Sequence, residues 1–327
     1  MDILNPRSLR EEAHRALARG REPKKLVFIY AAIGLGLSLL VTFANLWLDN
    51  EISGTGGLSN LGTRAIFSTA QQVLPVLSTI VAMCLEFGYF SGMMRITRGQ
   101  YADHTDLKVG FQKFWPLLRL TVLQYLLYLA VGILAVQIGT IIFYMTPWSL
   151  AAAEVVQSLS PADMASLTPE IIAITMEAMM PMYVISAVVF LIALIPVLHR
   201  LRMAHFCLLD DPNGRAMAAI RSSSKMMRRR FLPMLKIDLS LWLYYAATVV
   251  MMLLMYADYI FSFLGIPMPM DPLVFSIAVY IAALAVQFVI QIRLRNRVEA
   301  VYLTAYDRLR EKPKEGGPVV LGNIFDM

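Results

Sequence analysis

Residues 117–144 read LLRLTVLQYLLYLAVGILAVQIGTIIFY, 28 residues with one charge, Arg119, near the start. About 20 predominantly apolar residues suffice to cross a bilayer as a helix. In lipid every backbone amide and carbonyl has to be satisfied inside its own segment, so a run of this kind reads as a transmembrane helix. A membrane strand would alternate polar and apolar side chains over about 10 residues, which this stretch does not do. The run has length to spare, enough to tilt or to continue beyond the membrane.

Five more stretches share this character, at about 26–48, 73–94, 182–198, 239–264 and 273–292. The 327 residues are 58% hydrophobic and 16% charged, with mean hydropathy +0.60. Soluble domains carry about a quarter charged residues, so the composition excludes an ordinary soluble enzyme, a disordered chain and a collagen-like or disulfide scaffold. The first run does not read as a cleaved signal: its leading segment is long, and no small-x-small site follows at Trp47-Leu48-Asp49-Asn50. The expectation is an all-α bundle of six transmembrane helices. Residues 1–25 form a basic cytoplasmic amphipathic helix, 26–294 the six-span domain and 295–327 a cytoplasmic tail.

The basic residues set the orientation. Of 29 Lys and Arg, 28 fall in four alternate segments: before the first run, around the second connection, in the fourth connection and after the last run. Only Arg64 lies elsewhere. The other connections carry Asp49, Glu51, Glu154, Asp163, Glu170, Glu177 and Asp271. The positive-inside rule places both termini in the cytoplasm. Trp47, Trp115 and Trp148 sit at span ends, as interfacial aromatics do. The net charge of +6 follows from this bias and does not point to nucleic acid.

Lys113-Phe114-Trp115-Pro116-Leu117-Leu118-Arg119-Leu120 and Arg230-Phe231-Leu232-Pro233-Met234-Leu235-Lys236-Ile237 match in chemical type at a fixed offset. Pro23-Lys24-Lys25-Leu26-Val27 opens the first span in a similar way. A proline is tolerated in the first turn of a helix, where its missing N–H costs nothing. Short basic stretches precede each: Ser8–Arg19, Asp106–Phe114 and Pro212–Arg230. The reading is three similar units, each a basic amphipathic helix on the inner leaflet, a proline turn and a two-span hairpin, preceding spans one, three and five. In the longest outer connection, Ser160-Pro161 and Thr168-Pro169 look like helix starts. Short surface helices or extensions of spans three and four would both fit.

Two regions and the chain's end carry a family resemblance. The first is Arg98-Gly99 with Asp106-Leu107-Lys108-Val109-Gly110-Phe111-Gln112-Lys113-Phe114. The second runs Ala219-Ile220-Arg221-Ser222-Ser223-Ser224-Lys225-Met226-Met227, then Leu235–Trp242; the third is Glu299–Asp307. Together they resemble the bacterial integral membrane family known as domain of unknown function 975, itself loosely similar to the membrane part attached to some glycerophosphodiester phosphodiesterases. Where that family tends to Gly-Asn after the methionine, this chain has Arg228-Arg229-Arg230. The resemblance implies a multi-span membrane protein and carries over no activity and no catalytic residue.

Glu86 is the sharpest candidate site residue. It lies nine residues from Arg95, about 13 Å along a helix, which suggests mid-bilayer depth. An intramembrane carboxylate is costly and raises a proton relay or a polar ligand contact; a protonated Glu that glues helices together is the other reading. Gln124 could reach a similar depth as its partner. Gly88-Tyr89-Phe90-Ser91-Gly92 has the spacing that lets helix backbones approach, within the bundle or in a dimer. Asn45, Gln137, Gln287 and Gln291 read as interhelical hydrogen-bond formers or as the lining of a polar cavity. Arg221, Lys225, Arg228, Arg229 and Arg230 form a cluster suited either to fixing topology or to holding anionic lipid headgroups.

Cys84 and Cys207 are too few for a disulfide framework, and the four histidines lack metal-ligand spacing. No phosphate loop, HExxH or GxSxG occurs. The sequence therefore points to no catalytic, cofactor-binding or metal residue. Its leading functional reading is a non-enzymatic protein of envelope or membrane homeostasis, whose basic inner face engages anionic lipid or a partner. A transporter or channel-like permease using Glu86 is the alternative, and a membrane enzyme acting on a lipid phosphate a third.

Overall fold

The computed structural model describes residues 4–19, 23–54, 61–159, 168–211, 213–257, 260–261 and 271–310. The chain is all-α, with no strand among the described residues. In chain order the helices are α1 (Pro6–Arg19), α2 (Pro23–Gly54), α3 (Leu61–Thr97), a 3₁₀ turn (His104–Lys108), α4 (Val109–Gln112) and α5 (Phe114–Tyr144). Then come α6 (Trp148–Ser158), α7 (Pro169–Leu201), α8 (Ala204–Asp210), α9 (Ala216–Met227), α10 (Phe231–Ser240) and α11 (Trp242–Met255). The last are α12 (Pro272–Ile290), a π turn (Gln291–Arg295) and α13 (Asn296–Arg310). Among the described residues, five helical stretches are long and apolar enough to cross a membrane, or six if the bent pair α10–α11 counts as one span.

Five of the six expected runs lie within these helical segments and the fifth only in part, its end lying outside the described residues; three differ in form. α3 begins at Leu61, well before the expected start at residue 73, because Ser68, Thr69, Gln71 and Gln72 lower hydropathy without opposing a helix. α7 starts at Pro169 with Thr168 as its N-cap residue. The Thr168-Pro169 start is therefore an extension of span four; the Ser160-Pro161 start lies outside the described residues. The fifth run, expected to be one span over 239–264, is broken at Leu241, where α10 and α11 meet at 71°. α11 has 14 residues, about 21 Å at 1.5 Å per residue, short of a hydrocarbon core of about 30 Å. The eight-residue match holds at its starts: α5 opens at Phe114 and α10 at Phe231, each with its proline at the third position.

The contacts divide the chain into two compact units. The first holds the described residues among 1–117, 213–214 and 232–310. In it, residues 84–96 of α3 are largely buried, whereas residues 65–82 expose much of their apolar surface. The covering comes from α1, α13 and the 104–112 segment, with Leu9, Ala13, Leu107, Leu303 and Tyr306 in the core. α3 ends in a Schellman motif. Gln100 donates to the Arg95 carbonyl (2.8 Å) and Gly99 to that of Ile96 (3.0 Å), with Gly99 at φ 74°. The 3₁₀ turn opens with a capping box between Asp103 and Asp106. The His104 amide and ring hold the Asp103 carboxyl below the usual carboxylate range. Asp106, 4% exposed, also pairs with Arg95 at 2.7 Å. Arg98 pairs with Asp307 (2.7 Å), and Arg308 with Glu12 and Ser8.

Gly88 and Gly92 pack within the chain. A Cβ on Gly88 would run into the Leu107 backbone, and one on Gly92 into the Leu26 side chain. Gly110 meets the Cys84 carbonyl in the same way. Both cysteines are buried.

The second unit holds the described residues among 118–211 and 215–231. α5 and α7 approach closely at Gly139, whose Cβ would collide with Ser186. α9 docks on the end of α7 through fully buried Ser223, which donates to the Arg200 carbonyl (2.7 Å). α9 terminates with Arg229 at φ 61°. A non-glycine residue there costs about 1 kcal/mol, so Arg229→Gly is expected to raise thermal stability by about that amount. An unchanged or lowered melting temperature in detergent would count against this.

Candidate functional site

A cavity of about 450 Å³ opens in the first unit between α2, α3 and the α12–π-turn segment. α2 contributes Tyr30, Gly34, Ser38 and Thr42, at four-residue spacing along one stripe. No atom lies within 4 Å of where a Gly34 Cβ would stand, so glycine keeps this wall open. α3 contributes Ser78 and Thr79. Both donate to the Pro75 carbonyl at 2.8 Å, within a helix that Pro75 interrupts. From α12 and the π turn come Tyr280, Gln287, Gln291 and Arg295. Thr42 and Tyr280 share a hydrogen bond of 2.5 Å across the cavity wall.

Arg295 closes one end. Its guanidinium pairs with Glu86, donates to the Tyr30 hydroxyl at 3.0 Å and lies 3.9 Å from Glu299. It also sits over the rings of Tyr30 (5.2 Å) and Tyr89 (5.4 Å), which stack on each other at 4.7 Å. One cation thus faces two carboxylates and two aromatic faces, an arrangement that holds a guanidinium in a poorly solvated place. The π turn ends at Arg295, and such turns are rare in ordinary helices and recur at functional sites.

Glu86 stands where the covered end of α3 meets its uncovered apolar stretch. Arg95, from which its depth was gauged, belongs to the covered end beside Asp106. Gln124 is buried, but in the second unit, whereas Glu86 belongs to the first. The partner that faces Glu86 is Arg295, by sequence alone one of the positive charges after span six. Its signal was present: Gln287, Gln291 and Arg295 recur at four-residue spacing on one helix face. Of the four intramembrane amides singled out, Gln287 and Gln291 line the cavity.

The basic cluster lies in the second unit. Arg221, Lys225, Arg228 and Arg229 are exposed on and just after α9, while Arg230 is half-buried. Among the described residues no group of three His, Cys, Asp or Glu side chains is placed to hold a metal ion.

No family model matches the chain, and no curated protein and no solved structure matches it. The family resemblance noted above rests on the residues quoted for it.

Proposed function

We propose that this chain is a non-enzymatic multi-pass protein of the bacterial cytoplasmic membrane, with both termini inside, that takes a small polar solute into the cavity between α2, α3 and α12, as a permease does. One observation carries the reading. Three helices otherwise rich in apolar residues turn Ser38, Thr42, Ser78, Thr79, Tyr280, Gln287, Gln291 and Arg295 toward one open space of about 450 Å³. Polar side chains inside a membrane bundle are costly and mark ligand or ion paths. The volume falls in the range of small-molecule sites. Arg295 is already balanced by Glu86 and Glu299, so a neutral or zwitterionic solute suits the site better than a bare anion.

The test is a thermal-shift screen of the purified protein against amino acids, sugars and nucleosides, repeated on Gly34→Leu. Leucine at position 34 enters open space, so the fold is expected to persist while stabilisation by the solute is lost. No stabilising solute for the wild type, or an undiminished shift in Gly34→Leu, overturns the reading.

A second reading, engagement of anionic lipid in membrane homeostasis, is favoured by the exposed cations Arg221, Lys225, Arg228 and Arg229. Basic clusters beside a span attract anionic headgroups by about 1 kcal/mol per charge. Lipid retained by the wild type in native mass spectrometry and lost from Arg228→Gln/Arg229→Gln/Arg230→Gln would support it.

A further inference from the structure

A second cavity, of about 370 Å³, lies in the first unit where α1 and α13 meet the break between α10 and α11. Three cationic or imidazole side chains line it: Arg10 and His14 from α1, and Arg297 from α13. Arg10 and His14 are four residues apart, so they share one helix face. The other cap arginines are matched to carboxylates: Arg95 to Asp106, Arg98 to Asp307, Arg295 to Glu86 and Arg308 to Glu12. Arg10, His14 and Arg297 have no acidic partner among the described residues. Arg10 reaches only a backbone carbonyl, that of Ser240 at the helix break, at 3.4 Å. The remaining wall is apolar or aromatic, and Trp242 at its edge is 65% exposed.

Unmatched positive charge gathered on a cavity beside an apolar wall fits a ligand that is anionic at one end and hydrocarbon at the other. We infer that this cavity binds the phosphate headgroup of an anionic phospholipid, with Arg10, His14 and Arg297 around the phosphate and an acyl chain along Leu243 and Trp242. Two guanidinium forks favour phosphate oxygens, and a tryptophan at the headgroup level is the usual interfacial anchor. A lipid seated here would bridge α1, α13 and the bent fifth helix, and would fill the gap that the bend leaves. The inference gives the lipid reading a specific site, separate from the exposed cluster at Arg221–Arg230. It rests on that reading for the class of ligand alone.

Native mass spectrometry of the full chain in neutral detergent tests it, with phosphatidylglycerol added as probe and phosphatidylcholine as the zwitterionic comparison. The expected result is one tightly retained phosphatidylglycerol per chain, weakened at least tenfold in Arg10→Gln/Arg297→Gln. Arg10→Lys/Arg297→Lys is expected to bind more tightly than the glutamine variant and less tightly than the wild type, which separates lost charge from a lost fold. Arg228→Gln/Arg229→Gln/Arg230→Gln is expected to keep this one lipid even if it sheds others, so the two basic clusters fail independently. Equal retention of phosphatidylcholine, unchanged binding in Arg10→Gln/Arg297→Gln, or displacement of the lipid by millimolar inorganic phosphate bound in its place overturns the assignment.

Discussion

Gly110→Ala is expected to be among the most damaging single substitutions in the chain. The added methyl would run into the Cys84 carbonyl of α3, and Gly88 on α3 meets the Leu107 backbone reciprocally. Backbone faces backbone at both points, so no side chain can swing aside. Relief requires lifting the 104–112 segment off α3, which pulls Leu107 from the core and strains the Asp106–Arg95 pair. Overpacking typically costs about 1–3 kcal/mol, and the rigidity on both sides places this case at about 3 kcal/mol. Gly36→Ala supplies the contrast. It also sits in a helix, with open space where the methyl would go, and alanine favours a helix over glycine by up to about 1 kcal/mol. Thermal unfolding in detergent is therefore expected to show a large loss for Gly110→Ala and no loss for Gly36→Ala. Similar melting temperatures for the two would mean that the 104–112 segment does not hold α3 in this way.

The same contact shows what a sequence can and cannot state. Spans are legible because hydropathy and length alone decide whether a segment can satisfy its backbone in lipid, and five of the six runs lie within continuous helical segments. Helix starts at Phe114, Phe231 and Pro169 are legible because proline and capping residues act locally. The break at Leu241 is not. No glycine or proline stands there, and the bend coincides with tertiary contacts: Arg10 donates to the Ser240 carbonyl, and Tyr302 donates to Asp238 while bonding Tyr245 (2.6 Å each). Gly110 could be read only as one glycine among 18, since its need for no side chain comes from a carbonyl 26 residues away in the chain. Arg295 was hidden for the opposite reason. A basic residue just past an apolar run has an ordinary explanation as a topology signal, and only the fold reveals that it turns back toward Glu86 and Tyr30.

Removing Arg295 and removing Glu86 are therefore expected to differ sharply. Arg295 is 14% exposed and Glu86 44% exposed. Arg295→Met leaves Glu86 and Glu299 beside each other without their shared cation, and takes from Tyr30 and Tyr89 the group they stack around. Breaking a buried pair from one side typically costs about 3–5 kcal/mol, and the exposure of Glu86 points to the lower end, about 3 kcal/mol. Glu86→Gln is gentler. The amide oxygen still accepts from Arg295, and Glu299 remains as its counter-charge, so a loss below about 1 kcal/mol is expected. The double variant Arg295→Met/Glu86→Gln should recover part of the loss, because one stranded carboxylate is gone, and the resulting double-mutant cycle reads the coupling directly. A solute-handling role adds a demand that stability does not: Glu86→Gln should fold and yet bind the solute less well, since the amide carries no charge to balance Arg295 at the end of the cavity. If Glu86→Gln matches the wild type in both melting temperature and solute response, Glu86 is only one brace of a structural cation. If it matches in stability alone, the charge of Glu86 belongs to the solute site.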